Sequence, residues 1–351
     1  MLRNRWTEDY AERVAEFYSE EKKAFWRYVN RLSPSPEHVC ENIEIIGGIW
    51  NFNNKNQNGN PLRTHLYDET EYVGFGMLFF NVKNFRMASM TLKDPVNFAV
   101  TINVASYFTI EDITFDFNYG NPDALNMDGI HLDGHCHYGY IRNLKGACYD
   151  DLVALNACEG YAGPITNIEI DGIFAEDCHS AVRLLALTEN VSNIHISNIY
   201  GSYYQYCVTL SKYYRVEKIK PYDAITIEHV YASKAVRYAE RYAKVKSNYI
   251  YPLIWIEKDA LVNNLMLNAI HRREERVPVE TIYIGENAVI NQLIINDVTV
   301  ENNTDRPIPM LVNLGYIKDL YMTNIRVGEE EKLVNNGVVE YCNGQKYFDQ
   351  R

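Results

Sequence analysis

IHISNI, residues 194–199, sets apolar side chains at its first, third and sixth positions and polar ones between them. The same pattern of apolar, any, apolar, any, any, apolar returns as FRMASM at 85, FTIEDI at 108, IEIDGI at 168, ITIEHV at 225, LMLNAI at 265, LIINDV at 293 and LYMTNI at 320. Looser copies are IEIIGG at 43 and YIRNLK at 140. The central residues fall at 45, 87, 110, 141, 170, 196, 227, 267, 295 and 322, mostly 23 to 31 residues apart, which is the length of one solenoid coil.

Each copy alternates Val, Ile or Leu with polar residues and then breaks at Asn, Asp or Gly, as a strand followed by a turn does. Asn42, Asn167 and Asn193 each stand just before a copy, and asparagine tolerates the backbone of a sheet corner. Leucine-rich or helical repeats would carry longer segments of 3.6-residue period, and these are absent. One coil cannot bury its inward face alone, so neighbouring coils must complete the core. The expected fold is all-β: a single-stranded right-handed parallel β-helix of about ten coils.

Two segments break the rhythm. Residues 7–32 read as an amphipathic helix with Thr7 as N-cap and Pro34 just beyond its end, so residues 1–38 are expected to form an N-terminal helical cap. The β-helix is expected over 39–328, with a helical insert over about 233–246, and residues 329–351 as a C-terminal cap or tail.

The chain has 351 residues, 47% of them hydrophobic, which is ample for a core. Its net charge of −12 is spread along the sequence and argues against nucleic acid or an anionic membrane as partner. No run reaches the ~18 apolar residues of a spanning helix, and the N-terminal stretch MLRNRWTEDYAERVAEF has no apolar core segment, so a cytoplasmic location is expected. Seven cysteines without short paired spacings read as free thiols. The 28 tyrosines suit packing and, in a groove, stacking on saccharides.

Acidic and histidine residues concentrate on the middle coils, in NPDALNMDGIHLDGHCHYGY (121–140), GACYDDLVALN (146–156) and AEDCHSAVRLLAL (175–187). Asp150 follows Asp128 by 22 residues and His179 follows Asp151 by 28, so stacked coils would gather them on one face. Carboxylates so grouped raise at least one pKa, which prepares separate acid and base roles. Adjacent acids at the edge of a core strand need a reason, and a corner that turns both toward a groove supplies one. His131 and Asp133 alternate outward from Ile130 and Leu132 and are expected to line that groove near Asp128. A zinc site from His131, Asp133, His135 and His137 lacks paired cysteines at finger-like spacing and is not favoured.

NMDG at 126–129, the pair at 150–151, a histidine one coil later and an arginine after an apolar residue resemble glycoside hydrolase family 28, the polygalacturonase group of the pectin-lyase-like β-helix superfamily. The resemblance is strong on the middle coils and architectural elsewhere. It implies Asp150 as general acid, Asp128 and Asp151 as the carboxylates that orient and deprotonate water, and His179 as the residue that holds the site's charge state. It further implies substrate binding by Asn126 and Arg183; His131 and Tyr149 are expected to bind substrate beside them, and no metal or organic cofactor is expected. Tyr149 replaces the Gly or Gln that usually precedes the pair, His179 is not flanked by glycines, and Leu185 stands where the family's uronate-gripping Lys would be.

The expected activity is inverting hydrolysis of an α-glycosidic bond in a pectin-derived or related oligosaccharide or polysaccharide. Two other classes fit the architecture: a β-helix polysaccharide lyase, with Arg183 as base, and a non-catalytic saccharide-binding or structural β-helix. The oligomeric state is not legible in the sequence.

Overall fold

The ten central residues of the repeat stand in one column. Parallel pairing links Ile45 to Met87, Met87 to Ile110, Ile110 to Ile141, Ile141 to Ile170, Ile170 to Ile196 and Ile196 to Ile227. It continues from Ile227 to Leu267, Ile295 and Met322. The structure is a computed structural model describing residues 38–59, 74–213, 218–236, 251–328 and 332–347.

The strands that carry this column are Cys40–Ile46, Met77–Lys93, Val100–Asp116, Cys136–Ala147, Ile165–Leu185, Val191–Ser211, Tyr222–Lys234, Leu261–Glu274, Val289–Asn302 and Tyr316–Arg326, each hydrogen-bonded in parallel to the next. Val338–Cys342 adds a further parallel rung, and only its pairing with Gln345–Lys346 is antiparallel among the described strands. The chain is therefore a parallel β-helix, with a core running along its axis. The eight central column members from Met87 to Ile295 are fully buried, whereas Ile45 and Met322, at the two ends, are only partly covered. No helix among the described residues is long and apolar enough to cross a membrane.

The two residues between the second and third apolar positions make a corner. The second of them lies in the left-handed region in every copy: Gly47, Ser89, Asp112, Asn143, Gly172, Asn198, His229, Ala269, Asp297 and Asn324 have φ between 52° and 80°. One extra residue of opposite twist turns the chain and lets the third apolar side chain point inward again. Asn42, Asn167 and Asn193 are likewise left-handed (φ 59°, 57° and 54°), as their place before a copy implied.

Corner amides then bond from coil to coil. Asn84 Nδ2 donates to Asn42 Oδ1 (3.1 Å), Asn193 to Asn167 (3.3 Å), Asn296 to Asn268 (2.8 Å) and Asn324 to Asp297 Oδ1 (2.7 Å), each from the later coil to the earlier one.

A second sheet carries the site. Its rungs are the beginnings of Met77–Lys93 and Val100–Asp116, then Ile130–Leu132, Asp151–Asn156, the last parts of Ile165–Leu185 and Val191–Ser211, then Ile254–Ile256, Ile282–Ile284, Leu311–Asn313 and Leu333–Asn335.

At its start, the helical insert expected over about 233–246 is not what the structure shows. Ser233 and Lys234 instead complete the strand Tyr222–Lys234, paired with Ser202 and Tyr203, and the Lys234 ammonium is buried on the carbonyl oxygens of Tyr204 and Gln205. Residues 237–246 and the helix expected over 7–32 lie outside the described residues. All seven cysteines are free thiols.

Gly139 explains why the copy at 140 is loose. It takes the first apolar position of its coil, opposite Phe108, and a Cβ there would sit 2.1 Å from the Phe108 ring. Gly139→Ala is expected to lower stability by about 1–3 kcal/mol through overpacking. In a denaturant-unfolding cycle, Phe108→Leu should offset part of that loss, giving a double mutant less destabilised than the sum of the singles.

Candidate active site

Asp150 lies in the bend that ends at the strand Asp151–Asn156, so it stands at a coil corner rather than in mid-strand. The register that pairs Ile130 with Val153 places Asp128 beside Asp151, and pairing of Asp151 with Ser180 places His179 beside Asp150. Asp150, Asp151 and His179 each bring a side-chain atom within 4.8 Å of the others, with His179 Nδ1 3.7 Å from Asp150 Oδ1. The four residues expected to be catalytic are thus gathered at one place.

Their exposures differ. The Asp150 side chain is 23% accessible, while those of Asp128 and Asp151 are 2% and 1% accessible. Asp151 Oδ1 accepts hydrogen bonds from Ser180 Oγ and from Tyr206 Oη (3.0 Å), and its Oδ2 lies 2.9 Å from Arg183 Nε. Asp128 Oδ2 is 2.7 Å from His131 Nδ1, and its Oδ1 has no hydrogen-bond partner.

Burial pushes the Asp128 carboxyl up to about 6, with the His131 hydrogen bond working against the shift. Asp150 is raised well above the ordinary carboxylate value, first by burial and then by the charges of Asp128 and Asp151. Arg183 is held well above its usual value: burial opposes the charge, and the carboxylates of Asp151 and Glu159 outweigh it. His131 is raised well above its usual value as well, because its hydrogen bonds to Asp128, Asp133 and Glu159 overcome the opposing effect of burial.

Three residues expected to bind substrate are placed otherwise. His131 points outward from its strand, yet it is 1% exposed: Phe98 stacks on its ring (centroids 4.1 Å apart, planes at 10°), and Asn156 and Glu159 close over it. It therefore supports Asp128 from beneath and does not line a groove. Tyr149 is buried in a small apolar cluster with Ala124 and Met127, next to Phe117, so its ring packs under the 117–127 loop. Arg183 has its guanidinium turned to Asp151 and, at 3.9 Å, to Glu159. Asn126 is half-buried and left-handed (φ 50°), a corner residue that delivers Met127 and Asp128 to the sheet.

The site also holds Glu159, Asn156 and Ser180, which the sequence did not single out, and Tyr206, from an aromatic cluster at 200–207 that could either stack on a sugar or pack between turns. Glu159 and Asn156 come from the end of the Asp151–Asn156 strand and its following loop, and Ser180 and Tyr206 reach Asp151 from the next two coils. Ser180 and Tyr206 could have been found by register alone, since each lies one coil beyond the last. Within that cluster, YGSYYQYC at residues 200–207, the rings divide: Tyr203 is buried in the core, Tyr200 lies in an outer stack between Phe174 and Tyr231, and Tyr204 meets the His179 ring edge-on at 5.1 Å. Tyr206, Tyr251 and Trp255 contact one another, with centroids 5.0 to 6.2 Å apart, and form an aromatic wall beside the acids.

No family model and no curated protein matches this sequence. Solved structures with a similar backbone include the endo-xylogalacturonan hydrolase of Aspergillus tubingensis, 12% identical with a TM-score of 0.44 over 88% of this chain and 78% of that one. Another is the family 28 exopolygalacturonase of Yersinia enterocolitica, 13% identical with a TM-score of 0.37 over 76% of this chain and 47% of that one.

A carboxyl whose folded pKa is raised favours the fold below its unfolded pKa, and that contribution is lost as pH rises through the folded value. Asp150 is therefore a liability at neutral and alkaline pH. Asp150→Asn is expected to raise the thermal midpoint at pH 8, and the gain over wild type should shrink steadily as the pH of the melt is lowered toward 4.

Proposed function

We propose that the chain is a glycoside hydrolase that cleaves an α-glycosidic bond of a pectin-derived or related saccharide with inversion. The observation that carries this reading is the unequal setting of three grouped carboxyls. Asp150 is partly accessible and its carboxyl is pushed toward the protonated form, while Asp128 and Asp151 are buried against donors. Such a division of environments separates a general acid from water-activating groups.

In this scheme Asp150 gives its proton to the glycosidic oxygen as the bond from that oxygen to the anomeric carbon breaks. Water attacks the same carbon from the opposite face and loses a proton to the Asp128 and Asp151 pair. Ser180, Tyr206 and Arg183 hold Asp151 in an acceptor role, and His131 orients Asp128. His179, next to Asp150, fixes the position of the acid. The half-buried Tyr251 and the exposed Tyr213 at the margin offer faces on which a sugar ring can stack.

The elimination chemistry of a lyase finds less support. Its proton abstractor would be Arg183, and the neighbouring carboxylates hold that guanidinium in its protonated form. Because Arg183 is engaged inside the protein and Leu185 offers no charge, the reading extends to neutral sugars as well as uronates.

The test is a screen of pectic and neutral oligosaccharides with wild type and Asp150→Asn, following the first-formed anomer by proton NMR. Inverted product from wild type and no turnover by the variant are expected. Retention of configuration, or full activity in Asp150→Asn, would overturn the scheme. On the substrate found, kcat/KM should fall on the alkaline side as Asp150 loses its proton, because its raised pKa sets that limb.

A further inference from the structure

His131 Nε2 stands among two carboxylates and an amide nitrogen, all buried. Asp133 Oδ1 lies 3.3 Å from it and Glu159 Oε2 3.2 Å, both acceptors, while the Asn156 amide nitrogen, a donor, lies 3.2 Å away. A protonated Nε2 can donate to these carboxylates, whereas a lone pair there would face both of them. Asn156 Nδ2 donates to Glu159 Oε2 at 2.6 Å. Asn156 Oδ1 is left without a hydrogen-bond partner, in a residue of no solvent exposure. Thr101, outward on the preceding rung and paired with His131, is also fully buried, and its hydroxyl has no partner.

We propose that this cluster is a binding site for one first-row divalent cation of the Zn²⁺ or Mn²⁺ type, held by His131 Nε2, Asp133, Glu159 and the Asn156 side-chain oxygen. A cation at the centre would take lone pairs from all four groups once the Asn156 amide rotates its oxygen inward, and would give the buried Asn156 Oδ1 the partner it lacks. Ligands at about 2.0–2.1 Å in a tetrahedron lie roughly 3.3–3.4 Å from one another, close to the spacings around Nε2. The Asp128 carboxylate on Nδ1 supplies the outer partner that fixes the ring of a metal-bound histidine. A single imidazole among four donors suits a transition ion better than Ca²⁺, which takes six to eight oxygens.

The enclosure is built closely. A Cβ on Gly160 would sit 2.2 Å from Asn103 Oδ1 and 2.5 Å from Asp133 Oδ2, so the loop can pass over the cluster only with glycine at this position. The Phe98 ring covers the opposite side of His131. This proposal does not rest on the hydrolytic reading, although His131 also touches Asp128, because ion binding is measured without turnover.

The full-length chain, stripped with chelator, would be titrated with Zn²⁺ and with Mn²⁺ by calorimetry, and its thermal midpoint followed with and without each ion. One ion per chain and a raised midpoint are expected. Glu159→Gln, checked for fold by circular dichroism, should lose binding, and Asp128→Asn should weaken it roughly 10–100-fold. Pulsed EPR of the Mn²⁺-loaded wild type should show coordination by one imidazole nitrogen, a result that does not depend on any variant folding. No stoichiometric binding, undiminished binding in Glu159→Gln, or an Mn²⁺ spectrum without imidazole nitrogen would overturn the proposal.

Discussion

The parallel register that sets Ile110 on Ile141, Ile141 on Ile170 and Ile170 on Ile196 is the constraint on which the rest of this molecule depends. In a β-strand a slip of one residue exchanges the faces, so a buried column of this length admits one alignment only. The left-handed corner residue in every coil enforces the same alignment from the backbone side. The site follows from it: because Ile130 sits on Val153 and Val153 on Val182, Asp128, Asp151 and Ser180 fall into a line, with Asp150 and His179 alongside. The acids need no local motif to find one another, since the stacking of apolar residues elsewhere in each coil brings them together.

This is also why so much was legible in the sequence. The column at 45, 87, 110 and onward could be read because burial demands apolar residues at fixed intervals and the corner demands one extra residue between them. Asp128, Asp150, Asp151 and His179 could be read because they share a phase of the repeat. His131 and Tyr149 could not, since their exposure is decided by segments far away in the chain or by loops that obey no period. Phe98 and Glu159 cover the first, and the 117–127 loop the second. Alternation tells which way a side chain points but not what lies on top of it. Glu159 belongs to such a loop and carries no periodic signal of its own.

The electrostatics of the site oppose the fold that builds it. Asp128 and Asp150 are both driven toward their neutral forms by burial, and a core of this quality elsewhere would place apolar residues there. Arg183 offsets part of the cost by sitting against Asp151 and Glu159 rather than facing outward. The long apolar columns on either side provide the rigidity that holds such a group in place, in line with the general tendency of active sites to sacrifice stability for preorganised charge.

The corner amides give the solenoid a direction. Asn84, Asn193, Asn296 and Asn324 all donate toward the N-terminal coil, so the stack presents unlike groups at its two ends. An identical molecule could prolong such a ladder only head to tail and never about a two-fold axis, and head-to-tail growth has no intrinsic end point. Where Gln345–Lys346 turns antiparallel on Tyr341 and Cys342, that part of the last rung is already paired and offers no parallel template. A two-residue antiparallel strand there blunts part of an edge that would otherwise favour such growth.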